Sequence, residues 1–228
     1  MAYTNSPLVS YTKLSPNHSG QRTHSIDRIT PHCVVGQCSV ETLGNVFLPT
    51  SCQASSNYGI GVDGRVGMYV EEKNRSWCSS SAANDQRAVT IECASDATEP
   101  YAFKDVVYQR LIELCTDICK RNGKTKLLWL GDEDKTLGYT PALDEMVLTV
   151  HRWFANKSCP GDWMYARMGD LAKKVTAALG NQAPASLDNA PATWSKDAVN
   201  WALGNRLLLG DSNGNLSLRG FYSTCEEG

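Results

Sequence analysis

The sequence contains four histidines, and two of them lie in apolar segments. His32 belongs to ITPHCVV and His151 to MVLTVHRWF, both typical of buried strands. A single histidine in such a segment is more often a hydrogen-bonded core residue than a ligand. Cys159, however, follows His151 by eight residues, and Lys157 lies two residues before that cysteine. Two imidazoles and one thiolate are a known catalytic zinc set, which leaves the fourth tetrahedral position to water.

The other cysteines do not indicate a disulfide framework. The chain has nine cysteines, an odd number, with no CxxC pair, and it is too long to need disulfides for stability. Free cysteine is among the most buried residue types, so most of the nine are expected to pack in the core. Cys115 and Cys119 lie one helical turn apart on an apolar face, which favours packing over a metal or redox pair.

Composition excludes several classes of protein. With 22 Lys+Arg against 24 Asp+Glu and a formal charge of -2, the chain lacks the basic surplus of a general nucleic-acid binder. No apolar run reaches the ~18 to 20 residues of a membrane span. The first residues show no basic segment followed by an apolar stretch, so no secretory signal is visible. We therefore expect synthesis in the cytoplasm, with action elsewhere only after release.

The pattern of apolar residues predicts an α/β fold with a central mixed sheet flanked by helices. Strands that alternate with helices along the chain are typical of this class. Predicted strands cover residues 29–35, 88–94 and 146–154, although a helix is also compatible with the last, and a hairpin covers residues 58–70. Predicted helices cover residues 39–47, 104–122 and 164–179.

The chain divides at a segment rich in Ala, Pro, Asn and Ser. Residues 182–193 contain almost nothing large and apolar, which is typical of a linker. This predicts a catalytic domain over residues 1–181 and a short helical appendage over residues 194–228. The appendage is too short to build an independent core.

Residues 20–181 resemble the zinc-dependent N-acetylmuramoyl-L-alanine amidases, the superfamily that includes peptidoglycan recognition proteins, phage lysozyme-type amidases and AmpD-type recycling enzymes. The resemblance rests on the histidine of ITPHCVVGQ, the NYGIGVDGRV hairpin, the glutamate of AVTIECA and the H-x5-K-x-C pattern, in family order. It implies one zinc ion held by His32, His151 and Cys159. The implied reaction is hydrolysis of the amide bond between N-acetylmuramic acid and L-alanine in peptidoglycan.

One departure from the family affects the catalytic base. Phage lysozyme-type members carry a tyrosine seven residues before the Asp-Gly of the hairpin, where this chain has Ser56. Tyr58 lies two residues later, a shift of almost 7 Å along a strand. AmpD-type members instead use a glutamate in a strand like the one that contains Glu92. The resemblance therefore implies Glu92 as the base, with Lys157 stabilising the oxyanion.

A polar segment before the Glu92 strand is a candidate for substrate contacts. The segment NRSWCSSSAANDQR is loop-like, and its aromatic and cationic residues are suited to sugar rings and stem-peptide carboxylates. An ordinary exposed loop explains it equally well. The candidate substrate contacts are Tyr58, Arg75, Trp77, Asn84 and Arg87.

The appendage resembles the first part of a surface-layer homology repeat. That resemblance predicts a helix over residues 197–203 and a Gly-Asp-x-x-Gly turn over residues 210–214, without the second helix of a complete repeat. It implies weak binding to a secondary cell-wall polymer, an oligomerisation element or a remnant.

The leading interpretation is a phage or prophage endolysin, with peptidoglycan as its partner and neither nucleic acid nor membrane insertion involved. A cytoplasmic recycling amidase is an alternative of the same class. Two alternatives come from other classes. One is a non-catalytic peptidoglycan-binding protein of the same fold, although the presence of Cys159 argues against it. The other is a cysteine peptidase acting on stem peptides, which needs a partly exposed thiol of low pKa.

Overall fold

The computed structural model describes residues 3–180, 195–205, 207 and 216. The chain divides into two compact units, residues 1–180 and residues 181–228. Among the described residues, no helix is both long enough and apolar enough to cross a membrane.

A seven-stranded mixed sheet forms the centre of the first unit. The described strands are β1 (Val9–Thr12), β2 (His18–Gln21), β3 (Arg28–Cys33), β4 (Tyr58–Ile60), β5 (Val66–Met68), β6 (Asn74–Ser76), β7 (Ala88–Cys93), β8 (Lys126–Leu128) and β9 (Glu145–Leu148). The order of the strands in the large sheet is β1-β5-β4-β7-β3-β9-β8, and β2 and β6 form a separate two-stranded sheet. Neighbouring strands of the large sheet are parallel, except for the antiparallel β4–β5 hairpin. The predicted α/β fold with a mixed sheet is confirmed.

Helices flank this sheet. They are α1 (Val40–Phe47), α2 (Ala82–Arg87), α3 (Asp105–Arg121), α4 (Glu133–Leu137), α5 (Asp162–Tyr165) and α6 (Met168–Gly180), with 3-10 helices at Thr50–Cys52 and His151–Trp153. The long helix α3 matches its predicted bounds, because its apolar face packs in the core and Gly123 follows it with φ +67°. Cys115 and Cys119 on that face are fully buried, as expected for packing residues.

Three predicted elements differ from the observed ones. The predicted helix over residues 164–179 is two helices, α5 and α6, separated by Ala166 and Arg167. The predicted strand over residues 146–154 ends at Leu148, and a 3-10 helix follows. The polar segment over residues 74–87 is not a simple loop, because it contains β6 and α2. Ser81 starts α2 by accepting a hydrogen bond from the backbone N–H of Asn84 at 3.2 Å.

In the second unit the structure describes one helix, α7 (Lys196–Gly204), where residues 197–203 were predicted to be helical. The predicted linker over residues 182–193 and the predicted turn over residues 210–214 lie outside the described residues.

Candidate active site

Three neighbouring parallel strands, β7, β3 and β9, end at the same edge of the sheet, where open α/β sheets bind ligands. Glu92 near the end of β7 is the register partner of His32 near the end of β3. His151 begins the 3-10 helix that follows β9. The backbone therefore places one carboxyl group and two imidazoles at one edge.

Cys159 completes a cluster of metal-binding side chains with the two histidines. One donor atom each from His32, His151 and Cys159 lies within 4.8 Å of the others. The Cys159 Sγ is 3.3 Å from His32 Nδ1, and the two imidazole centroids are 5.1 Å apart. Bonds of about 2.0 to 2.3 Å to a tetrahedral zinc ion place ligand atoms about 3.3 to 3.8 Å apart. The chemistry and spacing of this donor set therefore fit zinc.

The protonation states of the two histidines also suit metal binding. Burial, and then the neighbouring His151, hold the pKa of His32 well below its ordinary value. Burial, and then the Lys157 ammonium, lower the pKa of His151. Both imidazoles are therefore neutral at pH 7, the form that coordinates a metal. A hydrogen bond with Cys33, followed by burial, raises the pKa of Cys159, so metal binding must displace a thiol proton.

Glu92 lies beside this cluster, and its side chain is 18% exposed. Burial raises the pKa of Glu92 to about 8, and a hydrogen bond from Cys78 opposes that rise. Its Oε1 is 4.0 Å from His32 Nδ1. This contact is not an ion pair, because the pKa of each group is shifted toward its neutral form. The buried Glu92 Oε2 has no hydrogen-bond partner among the described residues. A carboxyl group with a raised pKa and a free oxygen is suited to accept and return a proton.

A second donor set shares His32 with the first. It combines His32, Cys78 and Glu92, with the Cys78 Sγ 3.7 Å from Glu92 Oε1. The first set is the better zinc site for two reasons. It contains two imidazoles, and it leaves the Glu92 carboxyl group free to act as a base. Sequence reasoning did not identify Cys78, because nothing in WCSSS distinguishes it from a packing cysteine.

Lys157 borders two cavities at the site. A cavity of about 300 Å³ is lined by His32, Glu92, His151 and Cys159, and Lys157 lies at its wall. The Lys157 side chain is exposed to solvent.

Two of the five predicted substrate contacts lie near the site. Arg75 and Trp77 line a groove of about 490 Å³ that also borders His151 and Lys157. Both side chains hydrogen-bond the Ser19 hydroxyl, the Trp77 Nε1 at 2.7 Å. The role of Arg75 and Trp77 as substrate contacts stays a prediction.

The other three predicted contacts are corrected by the structure. Tyr58 is fully buried and Asn84 is 1% exposed, so neither presents a surface to a sugar or peptide. Arg87 pairs with Asp27 at 2.6 Å, and it lies five residues before Glu92, roughly 16 Å away along an extended strand. Ser56, at the family's tyrosine position, is also fully buried.

Tyr58 instead belongs to a buried polar network. Its hydroxyl donates to Glu72 Oε1 at 2.7 Å and accepts from the Ser6 N–H at 2.9 Å. We expect Tyr58→Phe to lower the free energy of unfolding by about 1 to 3 kcal/mol, because buried polar groups lose a partner. Turnover should change less than about twofold, since a fully buried side chain does not meet substrate. Urea unfolding and a turnover assay test both parts, and a large loss of turnover at unchanged stability would contradict this role.

Comparisons with known proteins give a family match and several matches to solved structures. The family model described as N-acetylmuramoyl-L-alanine amidase matches residues 15–162. A solved structure of an AmpD selenomethionine derivative has 17% identity and a TM-score of 0.51, covering 75% of this chain and 99% of its own, and it shows a shared fold. PlyL has 14% identity and a TM-score of 0.49, covering 72% and 95% of the two chains. Staphylococcus aureus hydrolase AmiA, solved with its ligand, has 13% identity and a TM-score of 0.49, covering 76% and 86%. The search of curated proteins gave no match.

Proposed function

The chain belongs to the N-acetylmuramoyl-L-alanine amidase family, and from that premise we propose that it hydrolyses the amide bond between N-acetylmuramic acid and L-alanine in peptidoglycan with one bound zinc ion. The observation that carries the proposal is the position of Glu92 beside the His32, His151 and Cys159 cluster at one edge of the sheet. These side chains supply both parts that a metal-assisted hydrolysis needs, a ligand set and a base.

His32, His151 and Cys159 would hold the metal. A divalent ion held by two neutral imidazoles and one thiolate would keep a residual charge of about +1, and it would supply acidification of a water molecule and polarisation of the lactyl carbonyl. Both histidines are already neutral in the folded protein, so only the thiol must lose a proton.

Glu92 accepts the proton of the attacking water and passes it to the departing alanine nitrogen. Its buried position holds it in a water-poor environment, and its unpartnered Oε2 leaves an acceptor for that proton. Burial raises the pKa of Glu92 to about 8, and a cation held by the cluster would favour the ionised carboxylate that acts as the base.

Lys157 stabilises the oxyanion of the tetrahedral intermediate. We expect Lys157→Ala to lower kcat about 100- to 1000-fold, the usual cost of removing one oxyanion donor. Zinc content should stay unchanged, since Lys157 is not among the ligands. Lys157→Arg keeps the positive charge and should recover part of the loss. Steady-state kinetics with metal analysis make the test, and an equal loss of zinc and activity would contradict this role.

The cysteine peptidase alternative is disfavoured by the thiol itself. Cys159 has a raised pKa, whereas a nucleophilic thiol needs a lowered one. A non-catalytic peptidoglycan-binding role does not account for Glu92, whose buried carboxyl group has an unpartnered oxygen beside the cluster.

Digestion of purified peptidoglycan followed by mass analysis of the products tests the proposed reaction. Free stem peptides that begin with L-alanine are the expected products. New termini within the stem peptide would indicate a peptidase, and unchanged peptidoglycan would indicate a binding protein. Comparing polymeric peptidoglycan with soluble muropeptides separates the proposed lytic role from a recycling role, because a lytic enzyme must act on the polymer.

The proposed place of action is the bacterial cell wall, after release from the cytoplasm. Binding of a secondary wall polymer by residues 194–228 remains a prediction, because most of those residues lie outside the described part of the structure. A pull-down on purified wall polymer, which compares the full chain with a chain that lacks residues 194–228, measures this binding.

A further inference from the structure

Ser80 contacts the candidate metal ligand His151 across 71 residues of sequence. Its hydroxyl oxygen lies 2.9 Å from His151 Nε2. Ser80 lies in the groove that borders Arg75 and Trp77, whereas His32, Glu92 and Cys159 line the other cavity. The His151 ring borders both cavities.

The backbone at Ser80 is unusual for a serine. Its φ is +63°, in the left-handed region that a non-glycine residue occupies only where the surrounding structure imposes it. Such strained residues cluster at functional sites. Here the strained backbone places the Ser80 hydroxyl against the His151 imidazole.

The surroundings impose this backbone through a buried carboxylate. Asp85 is 2% exposed and accepts hydrogen bonds from the backbone N–H groups of Cys78 at 3.1 Å and Ser79 at 3.2 Å. It also accepts from the Ser79 hydroxyl at 2.6 Å. Helix α2 therefore holds the turn on both sides of Ser80, because Asp85 of that helix binds Cys78 and Ser79, and Ser81 is the N-cap residue of the helix.

A histidine that binds a metal through one ring nitrogen usually donates its other ring N–H to a fixed acceptor. That acceptor selects the tautomer and orients the ring. The Ser80 hydroxyl oxygen lies at hydrogen-bond distance from His151 Nε2, and as an acceptor there it would leave the Nδ1 lone pair for the metal.

We propose that Ser80 is a positioning residue that holds His151 in the Nε2–H tautomer and so prepares its Nδ1 for zinc. The inference rests on the zinc site of the proposed function. It adds a residue outside the ligand set to that site. Ser80 itself touches neither the metal nor the substrate in this role.

The tautomer can be measured without metal or substrate. In the metal-free protein with ¹⁵N-labelled histidine, long-range ¹H–¹⁵N correlation spectra should show His151 protonated at Nε2. Ser80→Ala should produce a mixture of tautomers at His151 and leave the His32 signals unchanged. A wild-type protein with His151 protonated at Nδ1, or an unchanged His151 in Ser80→Ala, would overturn the proposal.

Zinc affinity supplies a second readout. Loss of a partner of a metal-bound histidine weakens metal binding about 10- to 100-fold, and we expect about tenfold for a neutral hydroxyl. Competition with a chromophoric chelator measures the Kd of wild type, Ser80→Ala and Ser80→Gly. Glycine relieves the backbone strain and removes the hydroxyl, so Ser80→Gly should lose affinity without losing thermal stability. Wild-type zinc affinity in Ser80→Gly would show that the backbone alone matters and would overturn the proposal.

A matched control separates this effect from general destabilisation. Ser39 caps α1 by accepting a hydrogen bond from the Thr42 N–H at 3.3 Å. Ser39→Ala should lower Tm and leave the Kd for zinc unchanged. If no variant, including wild type, binds zinc, the zinc part of the proposed function fails as well. If all bind equally, only the role of Ser80 fails.

Discussion

Cys159→Ala loses its zinc and with it all measurable turnover: that is the expected result when the protein is purified, dialysed and analysed for metal. Removing a partner of a ligand already weakens metal binding about 10- to 100-fold, so removing a ligand should exceed about 100-fold. The thiolate also supplies the negative charge of a set whose other two members are neutral. Wild type should contain about one zinc per chain.

A second cysteine gives the matched control. Cys52 lies in the 3-10 helix Thr50–Cys52, is partly exposed and packs against a separate small cluster of Leu43, Phe47 and Tyr69. Cys52→Ala removes the same chemical group and should keep both zinc and turnover. Full zinc content and full turnover in Cys159→Ala would remove the cysteine from the ligand set.

Glu92→Gln should retain zinc and lose about 100- to 10,000-fold in kcat, the usual contribution of a general base. Glutamine keeps the size of the side chain but cannot accept the proton. The base must be ionised to act, so wild-type kcat/KM should fall as pH drops below the pKa of Glu92. Burial raises the pKa of Glu92 to about 8 without a cation, and a bound cation lowers it. The residual activity of Glu92→Gln should lack this decline.

Glu92→Gln should raise the stability of the metal-free protein at pH 8, although it lowers turnover. The pKa of Glu92 is raised in the folded protein, so the folded state binds the proton more tightly than the unfolded state. Its contribution to stability is present below the unfolded pKa of about 4.5 and is lost as pH rises through about 8. Metal-free Glu92→Gln should therefore exceed wild type in free energy of unfolding at pH 8, by a margin that shrinks toward pH 5.

Urea unfolding in the presence of a chelator measures that margin. The exposed Glu113 on α3 serves as the control, and Glu113→Gln should show no comparable dependence on pH. Unchanged turnover in Glu92→Gln would return the base role to another group. A difference in free energy of unfolding between Glu92→Gln and wild type that does not depend on pH would contradict a raised pKa of Glu92 in the folded protein.

The central strands were predictable from the sequence because they depend on short patterns, whereas the grouping of His32, His151 and Cys159 was implied by the family resemblance. An apolar run with a histidine or glutamate near its end predicts a strand that presents that residue at the sheet edge. The meeting of His32 and Glu92 follows from the parallel register of β3 and β7. The hairpin around Asp63 and Gly64 was predictable for the same reason, since Gly64 has φ +80° in the turn.

The residues that the sequence did not identify are those placed by tertiary contacts. Cys78 and Ser80 belong to a turn whose shape is fixed by Asp85, a carboxylate buried by folding. Asn84 looked like an exposed loop residue, but its side chain bonds Thr30 at 3.0 Å in the interior. The polar composition of this segment predicts solvent exposure, and only the folded chain shows that α2 covers part of it.

The paired register of His32 and Glu92 also sets limits on redesign of the protein. Each residue lies on a strand that hydrogen-bonds the other, so their separation is independent of the loops that follow β3 and β7. Those loops can therefore be exchanged or lengthened while His32 and Glu92 keep their spacing. A deletion of one residue within β7 has the opposite consequence, because it turns the Glu92 side chain to the other face of the sheet.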